Sequence, residues 1–198
     1  MTIDLNEAGP LRHFGLIPSG TIVSVQMTIR PRGAGENGWL KRSADGGSEA
    51  IDAEFTIVDN EEYAGRKVWQ LMLLNGTTDG HAKAAEISRS SLRAIVESAR
   101  NIRPDDNSEA AQQKRRVNLA DFCGLCFIAK VTIEKSRDPA YPDKNRLQPV
   151  TPDMRGWHAV EQVPVLTQPG GVSVAAPQQA AASSKPAQAI TRPAWAQG

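Results

Sequence analysis

Two carboxylates and a lysine have the types and spacing that metal-dependent phosphodiester chemistry uses. Asp52 and Glu54 alternate in the run "IDAEFTIV", which places both on the outward face of one predicted strand, and Lys67 belongs to the strand that follows. Nucleases hold Mg²⁺ beside a phosphodiester with such groups. Alternating acids are also ordinary on the solvent face of a strand, and without a metal they would repel DNA. A nuclease is therefore the least favoured of the functions considered.

The two cysteines, Cys123 and Cys126, form a single C-x-x-C motif. A structural zinc site needs further ligands, and His13, His81 and His158 are far apart in the sequence. Thiol-redox enzymes place the motif at a helix N-terminus, whereas this one leads into a predicted strand. We therefore predict packed cysteines in a reducing compartment and no metal or other cofactor. Because G-x-S-x-G, H-E-x-x-H and Walker A strings do not occur in the sequence, we also predict that the protein is not an enzyme.

Basic and aromatic side chains are concentrated in two segments that the sequence predicts to be loops. The first, 31–50, is rich in glycine and contains "GWLKRS", and the second follows the predicted strand at 124–135 and contains "YPDKNRL". Lys and Arg neutralise phosphates, and an aromatic ring in the same groove offers a stacking surface for a base. The candidate nucleic-acid contacts in and beside these loops are Arg32, Trp39, Lys41, Arg42, Lys130, Lys135, Arg137, Tyr141, Lys144 and Arg146.

A third group of candidate contacts lies where the predicted strand at 66–74 begins. Arg66 and Lys67 follow Gly65 and point to opposite faces of the strand, so at most one of them is expected on a ligand surface. Trp69 lies within the strand, where a core position is favoured. Trp39, in contrast, lies in the glycine-rich loop, where it is either exposed to a ligand or folded back onto the end of the sheet. Arg66, Lys67 and Trp69 complete the set of candidate contacts.

The elements that position these residues are short strands and one long helix. Apolar residues at every second position predict strands at 21–30, 51–58, 66–74, 124–135 and 145–151. A helix is predicted from Thr78 or Asp79 to about Asn101, and a short second helix at 108–116. The residues of the long helix expected to pack are Ala84, Ile87, Leu92, Ile95 and Ala99, and those expected on its wet face include Glu86, Arg89, Arg93, Glu97 and Arg100.

Three strands, a helix and two strands follow the order of the oligonucleotide- and oligosaccharide-binding (OB) fold. In that fold the ligand crosses the second and third strands and is held by the loops between the first and second and between the fourth and fifth strands. We therefore predict a mainly β, OB-fold-like barrel of five strands over residues 16–155, with the helix between strands three and four. Residues 1–15 are expected to be an N-terminal extension. Residues 156–198, rich in Ala, Gln and Pro, are expected to be a flexible, disordered tail.

The composition is typical of a soluble globular protein. The chain has 198 residues, of which 40% are hydrophobic and 23% charged, and its formal net charge is +1. Binding to a polyanion would therefore depend on local clusters of charge. The sequence has neither an apolar run of membrane-spanning length nor the pattern of a signal peptide, so we expect a cytoplasmic protein without a membrane partner.

Three runs of the sequence resemble a family of phage and prophage proteins from bacteria. They are "GSEAIDAEFTIVDNEEYAGRKVWQLMLLNG", "KAAEISRSSLRAIVESARNIRPDD" and "YPDKNRL", and the similarity spans about residues 14 to 153. Members are labelled as of unknown function and in places as single-stranded DNA-binding proteins. The resemblance implies a setting in phage DNA replication or recombination, with contacts from Gly65, Arg66, Lys67 and Trp69 and from the loop 141–147. Bacterial single-stranded DNA-binding proteins recruit partners through an acidic tail, whereas this tail has no acidic residue after Glu161, so recruitment by that device is not expected.

The leading prediction is a protein that binds single-stranded DNA without strong sequence preference, with replication or recombination proteins as further partners. The alternative is a phage-encoded protein-interaction or host-inhibitor module that does not bind DNA, which the near-neutral net charge favours. A metal-dependent nuclease ranks third.

Overall fold

In a computed structural model of the chain, residues 15–35 and 37–162 are described. Apart from Gly15, the predicted N-terminal extension lies outside this part of the chain, as does the predicted tail beyond Gln162. The elements in chain order are β1 (Ile22–Arg30), β2 (Leu40–Arg42), β3 (Ser48–Ile57), β4 (Lys67–Gly76), α1 (Asp79–Ala99), α2 (Glu109–Arg115), a 3-10 turn (Leu119–Phe122), β5 (Cys126–Glu134) and β6 (Lys144–Pro149).

The described strands form one antiparallel sheet organised around the long strand β3. One edge of β3 pairs with β4 along its whole length, while the other edge pairs with β1 and, further along, with β2. On its other side β1 pairs with β5, which pairs with β6. The prediction of a mainly β protein with one long helix between the β3–β4 hairpin and β5 is confirmed.

The sheet is open between β4 and β6, so the described strands of the predicted OB-fold-like barrel do not close into a complete barrel. No ladder joins these two strands within the described residues. The nearest link is a side-chain bridge, in which the backbone N–H of Leu147 donates to the Gln70 side-chain oxygen at 2.6 Å. The strands approach each other at this point, but their backbones do not pair.

A sixth strand, β2, lies in the segment that the sequence predicts to be a long flexible loop. Its residues pair with Glu49, Ala50 and Ile51 of β3, and a further bridge joins Ala34 to Leu40. Glycines supply the tight turns on either side, and Gly35 has a φ of 78°. A side chain at Gly35 would also collide with Leu40. The prediction of a flexible loop was wrong here because an apolar pair, Trp39 and Leu40, packs against the core and holds the segment to β3.

The core lies on the inner face of the sheet, as the period-2 patterns predict. Val23, Val25, Met27 and Ile29 of β1 are fully or almost fully buried. The inner residues of β3 are buried in the same way, and Phe55 makes an edge-to-face contact with Phe127 of β5 at a centroid distance of 5.8 Å. Such aromatic pairs contribute about 0.5 to 1.5 kcal/mol beyond their area burial.

The helix α1 begins and ends near the predicted residues, and in its N-terminal half its packed face differs from the predicted one. Thr78 is its N-cap, accepting a hydrogen bond from the His81 N–H, and its buried residues are concentrated in its C-terminal turns. Leu92 and Ile95 pack as predicted, but Ile87 is 61% exposed. Ala85 is buried instead, so the packed stripe in the N-terminal half of the helix passes through Ala85 and not through Ile87.

Glu97, predicted on the wet face of α1, is only 3% exposed. Its carboxylate accepts hydrogen bonds from Arg93 at 2.8 Å and from Arg115 of α2 at 2.7 Å. Arg115 also donates to the backbone oxygens of Arg103 and Asp106. The charged cluster fastens α2 and the connecting segment to α1, which explains why an acidic residue is buried there.

Residues 157–162, which the sequence assigned to the tail, contact the body of the fold. The Trp157 indole donates to the backbone oxygen of Ser98 at 3.2 Å, and the Gln162 side chain bonds both the N–H and the C=O of Cys126. Ser98 also accepts from the N–H of Ile128, which is fully buried. Among the described helices, none is long and apolar enough to cross a lipid bilayer.

Candidate nucleic-acid interface

The surface opposite the core, termed the outer face, carries a cluster of charged and apolar side chains. Strand register brings them together, because Thr28, Glu54 and Trp69 form one row across β1, β3 and β4, and Arg30, Asp52 and Leu71 form the next. Side chains in such a row point the same way. The outer face is defined by Arg30, Asp52, Glu54, Lys67, Trp69 and Leu71.

Trp69 belongs to the outer face, so the expectation of a core position was wrong. It is 53% exposed, as is Leu71 two residues further along β4. Its indole N–H donates to Glu54 at 2.9 Å, which fixes the ring against the strand while leaving much of it in solvent. An exposed ring of this kind is available for stacking.

Trp39 is not exposed to a ligand but folds back onto the end of the sheet, the second of the two positions that the sequence allowed. It is half-buried and packs against the core beside Leu40, at the end of the sheet. Of the two tryptophans, Trp69 and not Trp39 is therefore the more exposed. The exposed aromatic that accompanies it is Tyr141, which is 64% exposed in the loop before β6.

Glu54 holds two of the predicted contact residues at once. Its carboxylate accepts from the Lys67 ammonium at 2.6 Å and from the Trp69 indole at 2.9 Å. Burial disfavours the charged carboxylate, but the hydrogen bonds from Lys67 and Trp69 outweigh it and keep the pKa of Glu54 below its usual value. Glu54 is therefore ionised at neutral pH and is neutralised by its neighbour.

Asp52, the other carboxylate of the suggested metal pair, is held by arginines. Arg32 donates to it through two guanidinium nitrogens, and Arg30 lies 3.9 Å away. The two carboxylates are thus engaged with cationic side chains. Within residues 15–35 and 37–162, no group of three or more His, Cys, Asp or Glu side chains is placed to hold a metal ion.

A cleft of about 350 Å³ opens where β4 and β6 fail to pair. We call it the β4/β6 cleft; its lining is Ile17, Arg66, Lys67, Val68, Trp69, Lys144 and Asn145. A second cleft of about 220 Å³ adjoins it, since both include Lys144, and it contains Lys135 and Arg137 of the β5–β6 loop. The cleft combines an apolar floor, an aromatic wall and several cations.

The structure brings both Arg66 and Lys67 to this cleft, although at most one was expected on a ligand surface. Side chains alternate between faces only within a strand, and Arg66 precedes the first residue of β4. Its guanidinium lies over the Tyr63 ring and donates to the Gly15 backbone oxygen at 2.6 Å. Asn145 fastens the same segment by bonding both the N–H and the C=O of Ile17. Ile17 of this segment thus forms part of the lining of the cleft.

The two predicted loops lie at opposite ends of β1. Ile22, at the start of β1, pairs with Lys130, whereas Arg30, at its end, pairs with Asp52. The loop 135–143 therefore leaves the sheet near the start of β1, beside the β4/β6 cleft, and 31–47 leaves it at the far end. Arg32, Trp39, Lys41 and Arg42 are thus separated along the strands from Lys135, Arg137, Tyr141 and Lys144.

Many of the predicted cationic contacts are paired with carboxylates of the same molecule. Besides the pairs of Asp52 and Glu54, Arg42 is bound to Glu49, Lys135 to Asp143, and Arg146 to Glu134. The hydrogen bond from Lys135 is the main reason that the pKa of Asp143 lies below its usual value. Among the described ion pairs, none includes the predicted contacts Lys41, Lys130, Arg137 or Lys144.

Sequence reasoning missed two residues of the outer face and the role of a third. Leu71 and Arg30 were not selected, and Glu54 was selected only as a metal ligand. Residues of the outer face could have been recognised from the outward polar residues of β3, because a side chain opposite an outward residue in the neighbouring strand also points outward.

Both cysteines are free and packed near the start of β5. Cys126 is buried, and the sulfur of Cys123 accepts from the Ile29 N–H at 3.4 Å. Burial raises the pKa of the Cys123 thiol, which disfavours the reactive thiolate.

A scan against models of protein families found no match, and neither did a search of curated proteins. The resemblance to phage and prophage proteins rests on the quoted sequence runs and stays a prediction.

Proposed function

We propose that the protein binds single-stranded DNA, without strong sequence preference, through the outer face and the β4/β6 cleft. The observation that carries this proposal is the position of Trp69, a half-exposed aromatic at the wall of a cleft that also contains Arg66, Lys67 and Lys144. Single-strand binding combines cations that follow the phosphates with aromatic rings on which bases stack. The sequence resemblance adds the setting, phage or prophage DNA replication or recombination in the bacterial cytoplasm.

The proposed fold is OB-like, with β2 as an addition to the five main strands. Strands β1, β3, β4, β5 and β6 follow the chain order of that fold, with α1 after the third of them. OB barrels are partly open, and an opening between β4 and β6 is compatible with that description. The side-chain bridge from Gln70 to Leu147 supports placing these two strands side by side.

The alternative function, a protein-interaction or host-inhibitor module, is favoured by a separate observation. The carboxylates paired with Arg32, Arg42, Lys67, Lys135 and Arg146 reduce the positive charge that a phosphate backbone would meet. Leu71 beside Trp69 also gives the outer face an apolar part. A module of this kind would use the same face to contact a protein surface.

Lys144 provides a test of the proposed path, because it is exposed and shared by both clefts. We expect Lys144→Ala to weaken binding to oligo-dT and to reduce the slope of log affinity against log salt by about 0.7, the value for one phosphate contact on a single strand. The matched control is Lys114→Ala, which removes an exposed lysine from α2. Equal effects of the two variants, measured by fluorescence anisotropy at several salt concentrations, would show that only net charge matters.

A further inference from the structure

Glu54 occupies an unusual position for an acid, at the centre of a face proposed to meet phosphates. Its side chain is only 15% exposed, and the Lys67 side chain that it binds is 33% exposed. The same carboxylate fixes the Trp69 indole from the opposite residue of the β3–β4 ladder. A cation and a stacking ring are thus both bound to one negative group.

A carboxylate in this position has two opposing consequences for an anionic ligand. It orders Trp69 and Lys67, which lowers the entropy lost when a strand binds. It also occupies the Lys67 ammonium and repels an approaching phosphate, since like charges at a few ångströms interact unfavourably. Which consequence dominates depends on whether Lys67 must leave Glu54 when the strand binds.

We propose that Glu54 is an internal competitor for the DNA backbone, holding Lys67 in the free protein and releasing it to a phosphate when a strand binds. This inference rests on the proposed function and specifies the regulation of that site. The Lys67–Glu54 pair is partly accessible to solvent, so exchange of the ammonium to a phosphate requires no unfolding. The carboxylate then sets the affinity below the value that the cations alone would give, which permits rapid release of the strand.

Glu54→Gln separates the two consequences of the carboxylate. The amide oxygen still accepts from the Trp69 indole, whereas the negative charge is lost. We expect affinity for oligo-dT at low salt to rise about fivefold, the order of a partly exposed ion pair. The salt slope should stay within about 0.7 of the wild-type slope, because Lys67 neutralises one phosphate in both complexes. The control is Asp105→Asn, which removes a charge from an exposed carboxylate paired with Arg103.

A double-mutant cycle with Lys67→Gln tests whether the gain passes through Lys67. Lys67→Gln alone should weaken binding, and adding Glu54→Gln should restore less than half of the gain seen in the wild-type background. The proposal is overturned if Glu54→Gln binds as the wild type does or more weakly while its thermal midpoint is unchanged. If Glu54→Gln does not fold, a Lys67→Gln variant that keeps the wild-type affinity and slope overturns it.

The competitor role of Glu54 and single-strand binding itself are contradicted by different results. A wild-type protein that binds oligo-dT but gains nothing from Glu54→Gln contradicts only the competitor role. A wild-type protein that does not bind oligo-dT contradicts both.

Discussion

Trp69→Ala will weaken binding to oligo-dT by about 1 to 3 kcal/mol while leaving the stability of the fold nearly unchanged. The magnitude is that of one base stacked on an aromatic ring. The small effect on stability is expected because the ring is 53% exposed on the outer face. Binding is measured by anisotropy of a labelled oligonucleotide and stability by urea denaturation of the same samples.

The matched control is Trp39→Ala, which removes the tryptophan that packs against the core beside β2. This variant should lose stability and, after correction for the unfolded fraction, bind oligo-dT almost as the wild type does. The assignment fails if the two variants exchange their behaviour, so that Trp69→Ala melts early and Trp39→Ala binds weakly.

Glu97→Ala will destabilise the fold by about 3 to 5 kcal/mol, the loss typical of a buried ion pair that loses one partner. Arg115, whose side chain is 14% exposed, would remain largely buried without its carboxylate. Arg93 is more exposed and would return to water at little cost. The measurement is the urea midpoint followed by far-ultraviolet circular dichroism.

Glu86→Ala is the control for this substitution, because Glu86 is an exposed residue of the same helix. Both variants place alanine in the interior of α1, so the change in helix propensity is the same and cancels in the comparison. A difference of less than about 0.5 kcal/mol, the usual range for surface substitutions, would mean that the Glu97 cluster does not stabilise the fold.

Alternation of side chains within strands was enough to predict most of the sheet. In β1 every second residue from Val23 to Ile29 is buried, and the predicted span 21–30 differs from the observed strand by one residue. The strand β2 could not be found in this way, since three residues are too few to show a period. Its position depends instead on packing of Trp39 and Leu40 against residues distant in the sequence.

The side chains of β4 show why the candidate site was harder to predict than the fold. The strand is apolar on both faces near its end, so its own sequence does not say which way Trp69 points. The answer comes from the register of the β3–β4 hairpin, which places Trp69 opposite Glu54 and Val68 opposite Phe55. Register is set by turn geometry and burial together, and neither was available from one strand alone.

The pairing of cationic side chains with carboxylates could also not be predicted from the sequence. Lys135 and Asp143 are eight residues apart, and Arg32 and Asp52 are twenty apart, so their contacts depend on how the loops fold. Counting lysines and arginines therefore overstated the charge that this surface presents. The separation of the two loops at opposite ends of β1 follows from the same three-dimensional information.

The most direct test of the account compares wild-type binding to oligo-dT with binding to a duplex of equal length between about 50 and 200 mM salt. We predict tighter binding to the single strand and a linear fall of log affinity with log salt. The slope should lie between about −1.4 and −2.8, at about −0.7 for each phosphate contact. The lower magnitude corresponds to two contacts, Arg137 and Lys144, and the higher to four contacts, with Arg66 and Lys67 added. A slope near zero, or equal affinity for duplex and single strand, would contradict single-strand binding and favour the protein-interaction module.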